Sequence, residues 1–187
     1  MKYLIAGLGN PGVEYGRTRH NVGFMILDAL ATASGSDFKT NRLGDVAEMR
    51  YRGQNLILLK PATFMNLSGN AVRYWMDTSK IPLERVLVVS DDIHLPFGTL
   101  RIRGKGSHGG HNGLRDIEKV LGSAAYARLK FGVGAEFSAG RQSDHVLSDF
   151  SDEEQEALKD RLAQSVELIQ SYVFHGLAQT MSNFNNL

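Results

Sequence analysis

One short stretch restricts the fold more than any other. Arg85-Val86-Leu87-Val88-Val89 is almost continuously apolar and β-branched, and it ends abruptly in Ser90-Asp91-Asp92. A strand with one wet face alternates apolar and polar residues, whereas an unbroken apolar run is covered on both faces and is typical of a parallel sheet. Such a strand calls for helices on each side of its sheet, and the rest of the chain supplies candidates. Tyr3–Ala6 reads as a second buried strand, running into a glycine turn. Apolar residues at 22, 26, 27, 30 and 33 predict a helix over Val22–Ala33. Val46–Tyr51 and Asn55–Leu59 bracket Arg52-Gly53-Gln54 and predict a hairpin. Asn66–Trp75 and Asn112–Val120 predict two more helices, capped by Asn66 and Asn112. Thr99–Arg103 and Tyr126–Val133 predict further strands. Ser151-Asp152-Glu153-Glu154 has the pattern of a capping box, and the helix behind it carries apolar residues at 158, 162, 166, 169 and 173. No repeat and no linker divides the chain. The expectation is an α/β fold, a single domain over residues 1–187 with a mixed β-sheet sandwiched between helices.

With 187 residues the chain is long enough for a self-sufficient core. It has no cysteine, which removes disulfides, thiolate zinc sites and cysteine nucleophiles together. The longest run without Asp, Glu, Lys or Arg, Leu168–Leu187, contains Gln170, Gln179, Asn183, Asn185 and Asn186, so it does not read as a membrane span. The apolar run Tyr3–Ala6 is too short for the core of a signal peptide. A soluble, cytoplasmic protein is expected. The net charge is only +1, but it is unevenly laid out. Residues 101–130 hold seven basic and two acidic side chains, a net of +5, while residues 144–160 hold seven acidic and one basic, a net of −6. Such polarity either presents a face to phosphates or marks two ordinary solvated faces.

Several segments could carry chemistry. Gly7-Leu8-Gly9-Asn10-Pro11-Gly12 follows a strand and fits the glycine pattern of dinucleotide sites. That pattern also needs a helix at once and an acid ending the next strand. Here Val13–Arg19 is polar and irregular, and Asp28 falls inside a helical pattern. A tight turn is the simpler reading, with a nicotinamide-dependent oxidoreductase as the alternative. His20 stands at the start of a helix, and Asp91 at the C-terminal end of the strongest strand, where sites of open α/β sheets collect. An acid there can accept an imidazole N–H and fix its tautomer. His108 and His111 lie in a glycine-rich loop with His94, Asp91 and Asp92 upstream. Their spacing is not that of a helical metal-binding pair and no one element presents three ligands, so a metal site is the weaker reading of these residues. The same loop, flanked by Arg101, Arg103 and Lys105, could instead hold a phosphate. Asn10, Asn66 and Asn112 each sit at a glycine-rich junction. Neutral amides can donate to a carbonyl or a developing oxyanion, and one histidine with an orienting acid suits activation of water against an ester.

Taken together these residues resemble the bacterial-type peptidyl-tRNA hydrolase family. The matching stretches are Gly7–Gly23 (GLGNPGVEYGRTRHNVG), Lys60–Val72 (KPATFMNLSGNAV), Ser90–Gly98 (SDDIHLPFG) and Gly106–Ile117 (GSHGGHNGLRDI). The resemblance implies an enzyme that needs no metal and no cofactor and hydrolyses the ester between a peptide and the 3′ ribose of tRNA, a partner that is nucleic acid, no membrane association and a monomer. It implies His20 as catalytic base and Asp91 as its partner. Asn10, Asn66 and Asn112 would position substrate and water, Met65 would line the peptide site, and Tyr15 and Phe64 would add aromatic contacts. Arg101, Arg103 and Lys105 would hold tRNA phosphates. The chain departs from the family at His94, where a further acid is frequent, and at Ala135-Glu136-Phe137, where the family has a proline-containing turn. A non-catalytic tRNA-binding module is the remaining alternative, against which the presence of both His20 and Asp91 argues.

Overall fold

The computed structural model describes residues 1–185, so Asn186, counted in the uncharged stretch above, and Leu187 lie outside the described residues. Seven strands form one sheet: β1 (Lys2–Gly7), β2 (Lys39–Asn41), β3 (Gly44–Tyr51), β4 (Gln54–Pro61), β5 (Val86–Asp92), β6 (Leu100–Arg103) and β7 (Ala127–Gly132), in the order β2-β3-β4-β1-β5-β7-β6. The inner strands β4, β1, β5 and β7 run parallel, and the pairings of β2 with β3, β3 with β4 and β6 with β7 are antiparallel. The α/β reading with a mixed sheet is therefore correct. β3 and β4 are the predicted hairpin.

The strand with no polar alternation is central because both of its faces are covered. Leu87 and Val89 join one core cluster with Tyr3 and Ile5 of β1, while Val86 and Val88 join a second with Leu4 and Ala6. Helices α1 (Val22–Ser34) and α5 (Asp152–His175) close the first cluster with Ile26, Leu27, Leu30, Leu168 and Ile169. Helices α2 (Ser68–Thr78) and α3 (Asn112–Leu121) close the second with Ala71, Val72, Leu114 and Ile117. The capping box at Ser151 and Glu154 forms as expected. A short helix, α4 (Gln142–Val146), and a terminal one, α6 (Leu177–Phe184), complete the fold. Behind α6, Asn185 pairs through its amide with both backbone groups of Ile102, at 2.9 and 3.0 Å, and so covers part of the β6 edge.

Two expectations about helix caps need correction. The helix assigned from Asn66 begins at Ser68, and Asn66 lies in a 3-10 turn over Met65–Leu67. Its role as cap is taken by Asp116 of α3, whose carboxylate accepts from the Gly69 N–H at 2.7 Å. Asn112 is not a cap either. It is the first residue of α3, and His111 caps the helix, its Nδ1 accepting from the N–H groups of Gly113 and Leu114. The imidazole reaches these amides because the preceding turn, closed by His111 N–H to His108 C=O at 3.0 Å, folds it back over the helix start.

The glycines near the start of the chain serve packing. β1 is followed by two 3-10 turns, over Val13–Tyr15 and Arg19–Asn21, and α1 begins only at Val22, so the dinucleotide reading fails for want of a helix at the third glycine. At Gly23 the helix crosses the sheet in direct backbone contact: a Cβ there would stand 2.6 Å from the Leu8 nitrogen and oxygen and from the Val89 oxygen. That close crossing draws the turn before α1 over the carboxyl ends of β1 and β5.

Candidate active site

Asp91, the penultimate residue of β5, is the centre of the site. It is 2% exposed and lies between the N-terminal approaches of two helices on opposite faces of the sheet. From the 3-10 turn before α1, His20 brings Nδ1 within 2.9 Å of both carboxylate oxygens. From the cap of α3, His111 brings Nε2 within 2.9 Å of Oδ1. The cap fixes the His111 tautomer. Its Nδ1 lone pair accepts backbone N–H groups, so the proton of the neutral ring sits on Nε2 and is donated to Asp91. Burial pushes the Asp91 carboxyl up, but the electrostatic attraction of the His20 and His111 rings and the hydrogen bonds from them outweigh it and hold the group well below the ordinary carboxylate range. Asp91 is thus an anion when it meets the His20 ring. An anion there draws the His20 proton to Nδ1 and leaves Nε2 to accept.

The sequence offers His111 only as a metal ligand. Its spacing to His108 gives no hint of a helix cap with a second nitrogen on Asp91. His20, Asp91 and His111 do have ligand-type atoms within 4.8 Å of one another. The donor chemistry does not suit a cation, however, because a capping His111 keeps a proton on the very nitrogen a metal would need. His94, another candidate ligand, pins the glycine loop instead, with its Nε2 3.0 Å from the Gly109 carbonyl oxygen. Gly109 and Gly110 are held further by Ser107 Oγ and His108 Nδ1.

Asn21 is a second residue that the sequence does not single out. Its side chain makes a two-point pair with the backbone of Asn10, accepting from the N–H at 2.8 Å and donating to the C=O at 2.9 Å. Asn10 in turn accepts the Met65 N–H on its Oδ1 at 2.8 Å. That bond sets the amide orientation, so the NH₂ group of Asn10 is the end left for a ligand. A chain of amides therefore ties the β1 turn, the His20 turn and the Met65 turn together.

These groups open on a cleft of about 540 Å³ lined by Asn10, His20, Phe64, Met65, Asn66, Asp91 and Asn112, with His94, Lys130, Phe137, Val146 and Leu147 among its other walls. Met65 is buried, and Phe64 is 58% exposed at the rim. Asn112 also accepts from Arg115 at 3.3 Å. Tyr15 does not line the cleft. Its carbonyl takes the N–H and the hydroxyl of Thr18 in the turn leading to His20. Arg101, Arg103 and Lys105 also lie outside the lining. Arg101 stands directly opposite Lys130 across the β6–β7 ladder, and facing residues of an antiparallel pair project to the same side. Lys130, not singled out from sequence, lies 3.5 Å from Asp92 and carries the basic row into the cleft.

An ionised acid that fixes one imidazole while the other ring nitrogen is left to accept is the equipment of a general-base hydrolase, and the carboxyl edge of a parallel sheet is where α/β enzymes of that class hold their sites. The sequence pattern of the peptidyl-tRNA hydrolase family matches residues 4–187. The chain is 55% identical over 185 residues to the peptidyl-tRNA hydrolase of Phocaeicola vulgatus, covering 99% of each. It is 56% identical over 185 residues to that of Porphyromonas gingivalis, covering 99% of this chain and all of the relative. The crystal structure of the Acinetobacter baumannii peptidyl-tRNA hydrolase superposes with a TM-score of 0.92 at 34% identity, over 98% of this chain and 94% of that one. The chain belongs to the peptidyl-tRNA hydrolase family.

Proposed function

We propose that the cleft hydrolyses the ester between a peptide and the 3′ ribose of tRNA, with His20 as general base. The observation that carries this reading is the His20–Asp91 contact, which commits Nδ1 to a buried anion and leaves Nε2 as the acceptor beside the cleft. His20 Nε2 takes a proton from water while the water oxygen attacks the ester carbonyl. Asp91 stabilises the imidazolium that forms, and His111 keeps Asp91 ionised and aligned. The NH₂ group of Asn10 and the amides of Asn66 and Asn112 are available to donate to the substrate carbonyl and its oxyanion. Collapse of the tetrahedral intermediate breaks the bond to the 3′ oxygen, which leaves with the proton carried by His20. The products are a peptide carboxylate and free tRNA. Met65 and Phe64 offer an apolar wall to the peptide. Arg101, Arg103 and Lys130, with Lys105 in the exposed loop beyond, are disposed to meet the tRNA phosphates. The fold has no use for a metal in this sequence of steps, and the protein acts as a soluble monomer in the cytoplasm.

The direct test is release of peptide from purified peptidyl-tRNA, with and without a chelator. Release that survives exhaustive EDTA treatment is expected. Failure to release peptide would overturn the reading, and activity lost to EDTA and restored by Zn²⁺ would overturn its metal-independent form.

A further inference from the structure

We infer that Arg19 is a positioning residue for the reaction, holding the turn that carries His20 and the α4 wall of the cleft as one unit. The inference rests on the reading of His20 as general base. His20 is the middle residue of a three-residue 3-10 turn, too short to hold a side chain in place by its own backbone bonds. Its two neighbours supply the anchorage. Asn21 ties one side of the turn to Asn10. Arg19 ties the other side to a part of the chain about 130 residues away. One arm of its guanidinium donates to Ser148 Oγ and, at 3.4 Å, to the His145 carbonyl at the end of α4. The other arm donates to Glu154 Oε1 at 2.8 Å. The Arg19 N–H adds a bond to the Ser148 carbonyl at 3.0 Å, and Thr18 bridges to Asp149.

What Arg19 grips is the wall of the cleft. Gln142, Ser143, Val146 and Leu147 line it, and they belong to α4 and the residue after it. Glu154, the far anchor, is already fixed: the same oxygen accepts the Ser151 N–H in the capping box of α5. The guanidinium fork therefore spans three points, the His20 turn, the end of α4 and the start of α5. Its planar geometry reaches two acceptors at once, which a lysine ammonium on a single stem does less well. Arg19 is mostly buried and touches no cleft-lining surface itself, so it acts through what it holds. A base and a substrate wall kept in register is the condition for a near-attack geometry, and a misplacement of about 1 Å can cost on the order of 10² in rate.

The test compares Arg19→Ala, Arg19→Lys, Ser148→Ala and His20→Ala on one purified peptidyl-tRNA, with affinity for deacylated tRNA measured in parallel. Arg19→Ala is expected to lower kcat by roughly 10- to 100-fold, within the cost of such a misplacement, and to leave the affinity for deacylated tRNA unchanged. Arg19→Lys should recover part of the loss. Ser148 is exposed, so Ser148→Ala keeps the fold and should lower kcat in the same direction by less. Parental kcat in Ser148→Ala together with parental kcat in Arg19→Ala, or in Arg19→Lys if the alanine variant does not fold, would overturn the assignment. A fall in kcat matched by a fall in tRNA affinity would mark general damage and overturn it as well. His20→Ala separates the two levels. If it is inactive while the Arg19 variants are parental, only the positioning role fails; if it is fully active, the general-base reading fails first.

Discussion

Asn10 carries a structural bond and a proposed substrate contact on one side chain, and the two can be separated. Its Oδ1 holds the Met65 N–H, and its NH₂ end is the one proposed to meet the substrate. Asn10→Asp keeps the acceptor and removes the donor, while placing a charge beside the developing oxyanion. Asn10→Ala removes both but adds no charge. If the amide works on the substrate, the aspartate variant loses more kcat than the alanine variant although it keeps the structural bond, and it melts closer to the parent. An aspartate variant as active as the parent would show that Asn10 is only a brace. Much of this chemistry is legible in the sequence. His20 and Asp91 stand out because one is a histidine at the start of a helical pattern and the other is the first acid after an unbroken apolar run. His111 and Asn21 do not, for a physical reason. Each acts through a hydrogen bond to a partner whose neighbourhood only the fold creates, Asp91 20 residues from His111 and Asn10 11 residues from Asn21.

Elements are legible where burial dictates their period. Tyr3–Ala6 of β1 and Val86–Val89 of β5 are apolar without interruption because both faces pack, and α1 keeps its apolar spacing because one face does. β2 is three exposed residues, Lys39–Asn41, with no burial pattern to read, and α4 is a five-residue helix with no buried residue. The crossing of α1 over the sheet offers an element-scale test. Gly23→Ala forces a methyl against Leu8 and Val89 backbone atoms at 2.6 Å, which neither buried backbone segment can move aside cheaply. Overpacking of this kind costs about 1–3 kcal/mol and should lower Tm by roughly 2–4 °C per kcal/mol in a protein this size. Gly16 is the control: its φ is −58, and a methyl added there would meet only the Val13 carbonyl oxygen, at 3.4 Å. Gly16→Ala should leave Tm unchanged or slightly raised. Equal Tm values for the two variants would show that α1 can lift from the sheet without penalty.

Across the whole molecule the charge is divided between the basic stretch at residues 101–130 and the acidic one at 144–160. Phosphate contacts release counterions, so each one lost flattens the log–log salt dependence of binding by about 0.7 for single strands and about 0.9 for duplex. Arg101→Gln with Arg103→Gln should weaken tRNA binding, flatten that slope by roughly 1.4–1.8 and keep kcat, since neither residue lines the cleft. An unchanged slope would mean that the row is merely solvated. The opposite behaviour is expected of the base. Single-turnover cleavage of one purified peptidyl-tRNA by the parent and by His20→Ala, alongside affinity for the deacylated tRNA, tests the assignment of His20 most directly. The rate should fall by on the order of 10²–10⁴ with affinity and salt slope unchanged; cleavage by His20→Ala at the parental rate would contradict it.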